Sequence, residues 1–268
     1  MTKTYQLIGF PCDEGVRRNN GRPGAAQGPK AFRQHWQATN NCEDLGDINC
    51  HESGLEAAQK TLGDRVYQIL SGGHHSIVIG GGHEIAWGHF QGISRYLGSK
   101  NCGIINFDAH FDLRPLIDNK LGSSGTPFLQ IAKERQNKNL DFDYLVLGIQ
   151  PASNSNALFQ TAKELNVKFV LAENFERESL DQIDAILSRH EYIYLSICLD
   201  VFAKTDAPGV SAPQALGLSP ERVKPLLRRI KQSGKVIALD IAELAPAYDI
   251  DNKTAKLAAS LTADWIAS

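Results

Sequence analysis

The sequence is poor in the features that mark secreted, membrane-bound or nucleic-acid-binding chains. Its 268 residues contain only five cysteines: Cys12, Cys42, Cys50, Cys102 and Cys198. The number is odd and no Cys-x-x-Cys pair occurs, which argues against a disulfide framework and against a closed structural zinc site. Lys plus Arg total 28 against 30 Asp plus Glu, a net charge of −2. So balanced a composition gives no electrostatic sign of a nucleic-acid or membrane-surface partner. No apolar run approaches the ~20 residues of a bilayer-spanning helix. Residues 1–5 lack the hydrophobic segment of a signal peptide, so a cytoplasmic location is expected. Gly80-Gly81-Gly82 has neither the dinucleotide nor the Walker spacing.

What is present is regular alternation. Hydrophobic residues make up 42% of the chain, ample for one large core, and one α/β domain spanning residues 1–268 is expected. Strand-like runs fall at 5–10, 76–80, 103–107, 143–149, 167–171, 192–199 and 235–240. Between them lie amphipathic stretches near 54–70, 85–97, 127–135, 156–165, 180–189, 220–232 and 253–266. This pattern predicts βα units around a mainly parallel sheet covered on both faces. The polar, turn-prone stretch 15–29 is unsuited to a core, and its Arg17, Arg18 and Arg22 are candidates to face a crevice.

The chemistry concentrates at strand ends. Asp108-Ala109-His110-Phe111-Asp112 follows the apolar run Gly103-Ile104-Ile105-Asn106-Phe107. In extended backbone alternate side chains share a face, so two carboxylates and an imidazole converge at the carboxyl end of a strand, where open α/β sheets place their ligand crevices. Two more strands end similarly: Ser76-Ile77-Val78-Ile79-Gly80 runs through two further glycines into His83, and Tyr192 to Ile197 runs into Cys198-Leu199-Asp200. Three strand ends carrying ligand-type residues point to a metal centre. Carboxylates and imidazoles favour Mn²⁺-type ions.

Gly80-Gly81-Gly82-His83-Glu84, Asp108-Ala109-His110-Phe111-Asp112 and Ser196-Ile197-Cys198-Leu199-Asp200 together resemble the arginase, or ureohydrolase, superfamily in order and spacing. The resemblance runs from Gly9 to about Leu261. Ser124-Gly125-Thr126-Pro127-Phe128 and Ala207-Pro208-Gly209-Val210-Ser211-Ala212-Pro213 are similar to the formimidoylglutamase branch. The resemblance implies a three-layer α/β/α fold with a mainly parallel sheet, two manganese ions, a cytoplasmic hydrolase of histidine breakdown, and cleavage of N-formimidoyl-L-glutamate to L-glutamate and formamide. It assigns His83 and Asp112 to one metal, His110 and Asp200 to the other, and Asp108 as a bridge. It makes Glu243 the acceptor for the amidinium group and a homo-oligomer possible; the leaving amine needs a proton, and Asp112, expected beside the nucleophile, is the candidate to relay it.

Cys198 departs from the family pattern, which has a second bridging aspartate there. A thiolate suits Zn²⁺ or Fe²⁺ better than Mn²⁺, and a neutral buried thiol need not ligate at all. Three outcomes follow: two metals with one fewer carboxylate, one tightly held metal, or lost hydrolysis in a ligand-binding homologue. Residues 123–127 lack the histidine that arginases use as proton shuttle, which argues against arginase proper. The two carboxylates of formimidoylglutamate need positive partners, for which Arg17, Arg18, Arg22 and Arg114 are available. Agmatine or a guanidino acid is the alternative substrate, and arginine-bearing loops favour the anionic one.

Overall fold

The computed structural model describes residues 5–50 and 54–267; residues 1–4, part of the segment read for a signal sequence, lie outside the described residues. Eight strands form one sheet: β1 (Tyr5–Phe10), β2 (Cys42–Asp47), β3 (His75–Gly80), β4 (Cys102–Phe107), β5 (Asp143–Ile149), β6 (Lys168–Leu171), β7 (Tyr192–Cys198) and β8 (Val236–Ala242). Their order is β2-β1-β3-β8-β7-β4-β5-β6, and every neighbouring pair is parallel. The inner strands read as unbroken apolar runs because both faces are covered. One face carries α3 (Gly54–Ser71), α4 (Ile85–Leu97), α5 (Pro127–Asn137) and α6 (Asn156–Glu164). The other carries α2 (Gly28–Arg33), α7 (Phe175–Arg189), α8 (Pro220–Gln232) and α9 (Lys253–Ala267), while the short α1 (Glu14–Arg18) lies in the loop after β1. No described helix is long and apolar enough to cross a membrane.

The expected α/β/α sandwich is thus observed, with three differences. Strand β2 was not foreseen: its sequence, Cys-Glu-Asp-Leu-Gly-Asp, is acidic because it is an edge strand, and charge protects such edges from further pairing. Arg33 of α2 secures it through a paired contact with Asp44 at 2.7 and 2.9 Å and a third bond to Asp47. Helix α7 begins five residues before the amphipathic signal at 180, because Phe175 is buried against Phe107 while the charged residues after it face outward. Short helices α1 and α2 occupy the stretch read as irregular loop.

Sheet order places β3, β8, β7 and β4 side by side in the middle of the sheet. Since all four are parallel, the four loops at their carboxyl ends meet at one edge. Ile105, fully buried on β4, packs in the core between these strands and the α7–α9 layer. Ile105→Ala should lower the unfolding free energy by about 2–5 kcal/mol, read by denaturant titration; a change under 0.5 kcal/mol would contradict this packing.

Candidate metal centre and substrate cleft

The glycines after β3 have a steric purpose. A Cβ on Gly81 would lie 1.6 Å from the Cys12 carbonyl oxygen, and one on Gly82 would lie 2.0 Å from Glu84 Oε2. The Gly81 and Gly82 N–H groups instead donate to Phe10 and Cys12 carbonyls at 2.9 and 3.0 Å. This close backbone approach ends β3 and turns His83 over the sheet edge just before α4. His75, at the amino end of β3, packs edge-on against Tyr5 at the opposite edge.

His83 is buried, and its two ring nitrogens have different fates. Nε2 lies 2.8 Å from Ser196 Oγ, which in turn donates to Asp240 Oδ1 at 2.5 Å. Because the single serine proton goes to a carboxylate, the serine accepts from His83, so Nε2 carries hydrogen and Nδ1 presents its lone pair. Nδ1 sits 3.0 Å from Asp108 Oδ2 and 2.9 Å from Asp112 Oδ2, yet neither contact has hydrogen-bond geometry. Asp200 Oδ1 is likewise buried without a partner. Acceptors facing acceptors in a buried site demand a cation. In a metal-free chain a second proton on each histidine answers it: despite burial, carboxylate neighbours push His83 and His110 well above the usual imidazole range.

Two donor groups converge, His83–Asp108–Cys198 and Asp108–His110–Asp200, each with ligand atoms within 4.8 Å of one another. Asp108 is common to both. Against the effect of burial, His110 and His83 hold its carboxyl below the usual range, and Oδ1 also accepts the His110 N–H at 2.7 Å. Asn106 donates to Oδ2 at 3.1 Å. Burial pushes Asp112 up to about 6, with the Asp108 charge adding to the effect. Burial and then the charges of Asp108, Asp200, Glu243 and Asp112 push the Cys198 thiol well up. This set of carboxylates, imidazoles and one sulfur fits a pair of divalent cations.

Asp112 and Glu243 both have positive φ, 51° and 72°. Among the described residues Glu243 is the only one at positive φ that is not Gly, Asn or Asp, a conformation that costs energy and clusters at functional sites. Its N–H donates to the Gly81 carbonyl at 2.8 Å and its Oε1 accepts the His83 N–H at 3.0 Å, so β8 and the β3 turn lock each other. Oε2 remains buried and unpartnered. Burial, with Asp200 adding, pushes this carboxyl up to about 7. A cleft of about 170 Å³ opens over these groups, walled by Asn19, Gly21, Arg114, Ser124, Asn154 and Ser211.

The sequence model of the Arginase family matches residues 3–267. The chain belongs to the arginase family. It is 46% identical to formimidoylglutamase of Legionella pneumophila (strain Lens), over 99% of this chain and 86% of that one. It is 44% identical to formimidoylglutamase of Aeromonas hydrophila subsp. hydrophila, over 95% and 84%. Among solved structures it is similar to Trypanosoma cruzi formiminoglutamase with Mn²⁺ (TM-score 0.87, 27% identity, 98% and 92% covered) and to Bacillus subtilis arginase (0.85, 26%, 99% of both).

The six ligand-type residues read from the sequence, His83, Asp108, His110, Asp112, Cys198 and Asp200, thus meet at one arginase-family cleft together with Glu243. The arginines of the first loop do not. Arg18 is bound to Glu56 and to the Gly122 carbonyl, Arg22 to the Val210 and Ser211 carbonyls with its guanidinium stacked on Tyr248, and Arg17 lies outward beside Asp13. All three are absent from the cleft wall, to which their loop contributes Asn19 and Gly21. Arg18 and Arg22 fasten loops, Arg17 stays largely exposed, and Arg114 is the one of the four that lines the cleft. Sequence reading also missed the support beneath His83. Asp240 accepts from Ser196, from His89 Nδ1 at 2.8 Å and from the Tyr194 hydroxyl, and Ser76 completes the chain beyond His89 at 2.8 Å. Such partners fix a ligand's tautomer and orientation. Ser196→Ala should therefore weaken divalent-metal affinity about 10–100-fold, measured by chelator competition, while circular dichroism stays unchanged; undiminished affinity would show that the serine does not orient His83.

Proposed function

We propose that this chain hydrolyses the C–N bond of N-formimidoyl-L-glutamate, giving L-glutamate and formamide, with a pair of divalent ions, manganese foremost. The observation that carries the proposal is the convergence of buried acceptors without donors at four adjacent strand ends. Formimidoylglutamase relatives aligned over nearly the whole chain support the substrate. His83 and Asp112 would hold one ion, His110 and Asp200 the other, with Asp108 between them. Such a pair, when bound, polarises the substrate and lowers the pKa of bound water toward neutrality.

The remaining work falls to the chain. Glu243 offers Oε2, aimed into the cleft without a partner, as acceptor for an amidinium N–H, while Oε1 stays fixed by the His83 backbone. A carboxylate receiving paired N–H donors orients a planar amidinium. Asp112, at the cleft wall beside His83, is the candidate to relay a proton to the departing glutamate nitrogen. Arg114 reaches the cleft wall and has no ion-pair partner among the described residues, so its guanidinium is available for a substrate carboxylate. Gly125 leaves it room, since a Cβ there would lie 2.8 Å from Arg114 Cδ. An arginine at the mouth disfavours cationic agmatine.

Metal-stripped protein reconstituted with Mn²⁺ should release L-glutamate from N-formimidoyl-L-glutamate, and the metal-free sample should not. Absence of turnover under reducing conditions would overturn the reading in favour of a binding protein or another amidine. Arg114→Ala should raise KM about 10–100-fold with kcat little changed, as expected for loss of one charged hydrogen-bonded contact; an unchanged KM would remove Arg114 from substrate recognition.

A further inference from the structure

We infer that Cys198 is a thiolate ligand to the ion beside His83, so that the two halves of the centre are chemically unequal and the Cys198 half takes a softer divalent ion than the His110 half. This rests on the metal-centre reading above and adds the identity of one donor and its consequence for metal choice.

Three observations support it. Cys198 closes β7 and shares a face with Ser196 and Tyr194, the face that meets the buried polar groups under the site; it is 1% exposed. Its sulfur lies within 4.8 Å of ligand atoms of both His83 and Asp108. The adjacent His83 Nδ1 is itself fully buried, aimed into that space and without a hydrogen-bond partner. A sulfur packed merely as a small hydrophobe would be surrounded by apolar groups, whereas this one lies beside the Asp108 carboxylate and the His83 imidazole and lines the same cleft as Asp112, Asp200 and Glu243. Cys12, Cys42, Cys50 and Cys102 belong to neither donor group.

The consequence follows from donor type. The first half has sulfur, imidazole nitrogen and carboxylate oxygen; the second, made by Asp108, His110 and Asp200, has nitrogen and oxygen only. Thiolate selects Zn²⁺, Fe²⁺ or Co²⁺ over Mn²⁺, while an all-nitrogen-and-oxygen set accommodates Mn²⁺ readily. A coordinated thiol loses its proton to solvent on binding, with no oxidant or reductant involved. Two different metals in one centre are thus the favoured loading when both are supplied.

Cobalt provides a direct readout. Metal-stripped, reduced protein titrated with Co²⁺ is expected to develop a thiolate-to-cobalt charge-transfer band in the near ultraviolet. C198S should lose that band yet keep visible ligand-field absorption from the His110 half, which also shows that the variant folds. Zinc-edge X-ray absorption of the protein loaded with one equivalent should show one sulfur at about 2.3 Å, absent in C198S. Wild-type protein with ligand-field absorption but no charge-transfer band, or a band that persists in C198S, would overturn the inference. No cobalt uptake at all would overturn it together with the metal-centre reading. The band without turnover of formimidoylglutamate would leave the inference standing and defeat the proposed reaction instead.

Discussion

The arrangement depends on holding several electron-pair donors together where few hydrogen-bond donors reach them. Asp108, Asp112, Asp200, Glu243 and the bare nitrogen of His83 repel one another unless positive charge intervenes, and burial removes the water that would screen them. Loops alone would relax apart. Here the groups are mounted at the ends of four adjacent parallel strands, so separating them would mean breaking the centre of the sheet. The apolar layers on both faces therefore do more than stabilise the fold: they oppose the electrostatic strain of the site.

The strand register carries this logic inward. Asn106 of β4, Ser196 of β7 and Asp240 of β8 are direct neighbours across the sheet, forming a polar row in an otherwise apolar interior. Most of its polar atoms find partners among neighbours: Asn106 donates to Asp108 and to the Tyr144 hydroxyl, which donates to the Phe111 carbonyl, while Ser196 and His89 converge on Asp240; the Asn106 side-chain oxygen alone is buried without a hydrogen-bond partner. Buried hydrogen bonds of this kind rigidify the groups they join. Rigidity matters here because the groups above the row must keep their spacing whether or not cations are bound.

These considerations explain what could be read from the sequence. Strands β4, β5 and β7 and helices α4 and α8 announce themselves by local periodicity, and Asp108-Ala109-His110-Phe111-Asp112 is legible by its residue types, although its backbone does not stay extended as expected but bends at 109–110 and reaches a φ of 51° at Asp112. Edge strand β2 was illegible because one edge has no partner and its residues are chosen to discourage one. Asp240, His89 and Ser76 were illegible for another reason: 151 residues separate Asp240 from His89, and only the folded sheet brings them together. The positive φ of Glu243 leaves no local sequence signal either, since the Gly81 and His83 contacts that hold it come from a distant turn. Which of the candidate arginines lines the cleft was not legible, because a loop's proximity to a crevice says nothing about which side chain turns inward. Arg18 and Arg22 each found carbonyl acceptors that fix the cleft's walls.

Cys198 also bears on the balance between folding and binding. An aspartate there would place a further negative charge among Asp108, Asp112, Asp200 and Glu243 in the metal-free protein, where each charge already raises the others' tendency to hold protons. A thiol is held neutral by those same neighbours and adds no repulsion while the site is without a cation. Once a cation is present, the same atom can supply a full negative charge and a strong donor. The cost then moves from folding to metal binding, which must displace a proton that a carboxylate would already have lost. Cysteine at the end of β7 thus eases assembly of the crowded strand ends, and, if it ligates as inferred above, occupancy of that half would depend more strongly on how well the arriving ion favours sulfur.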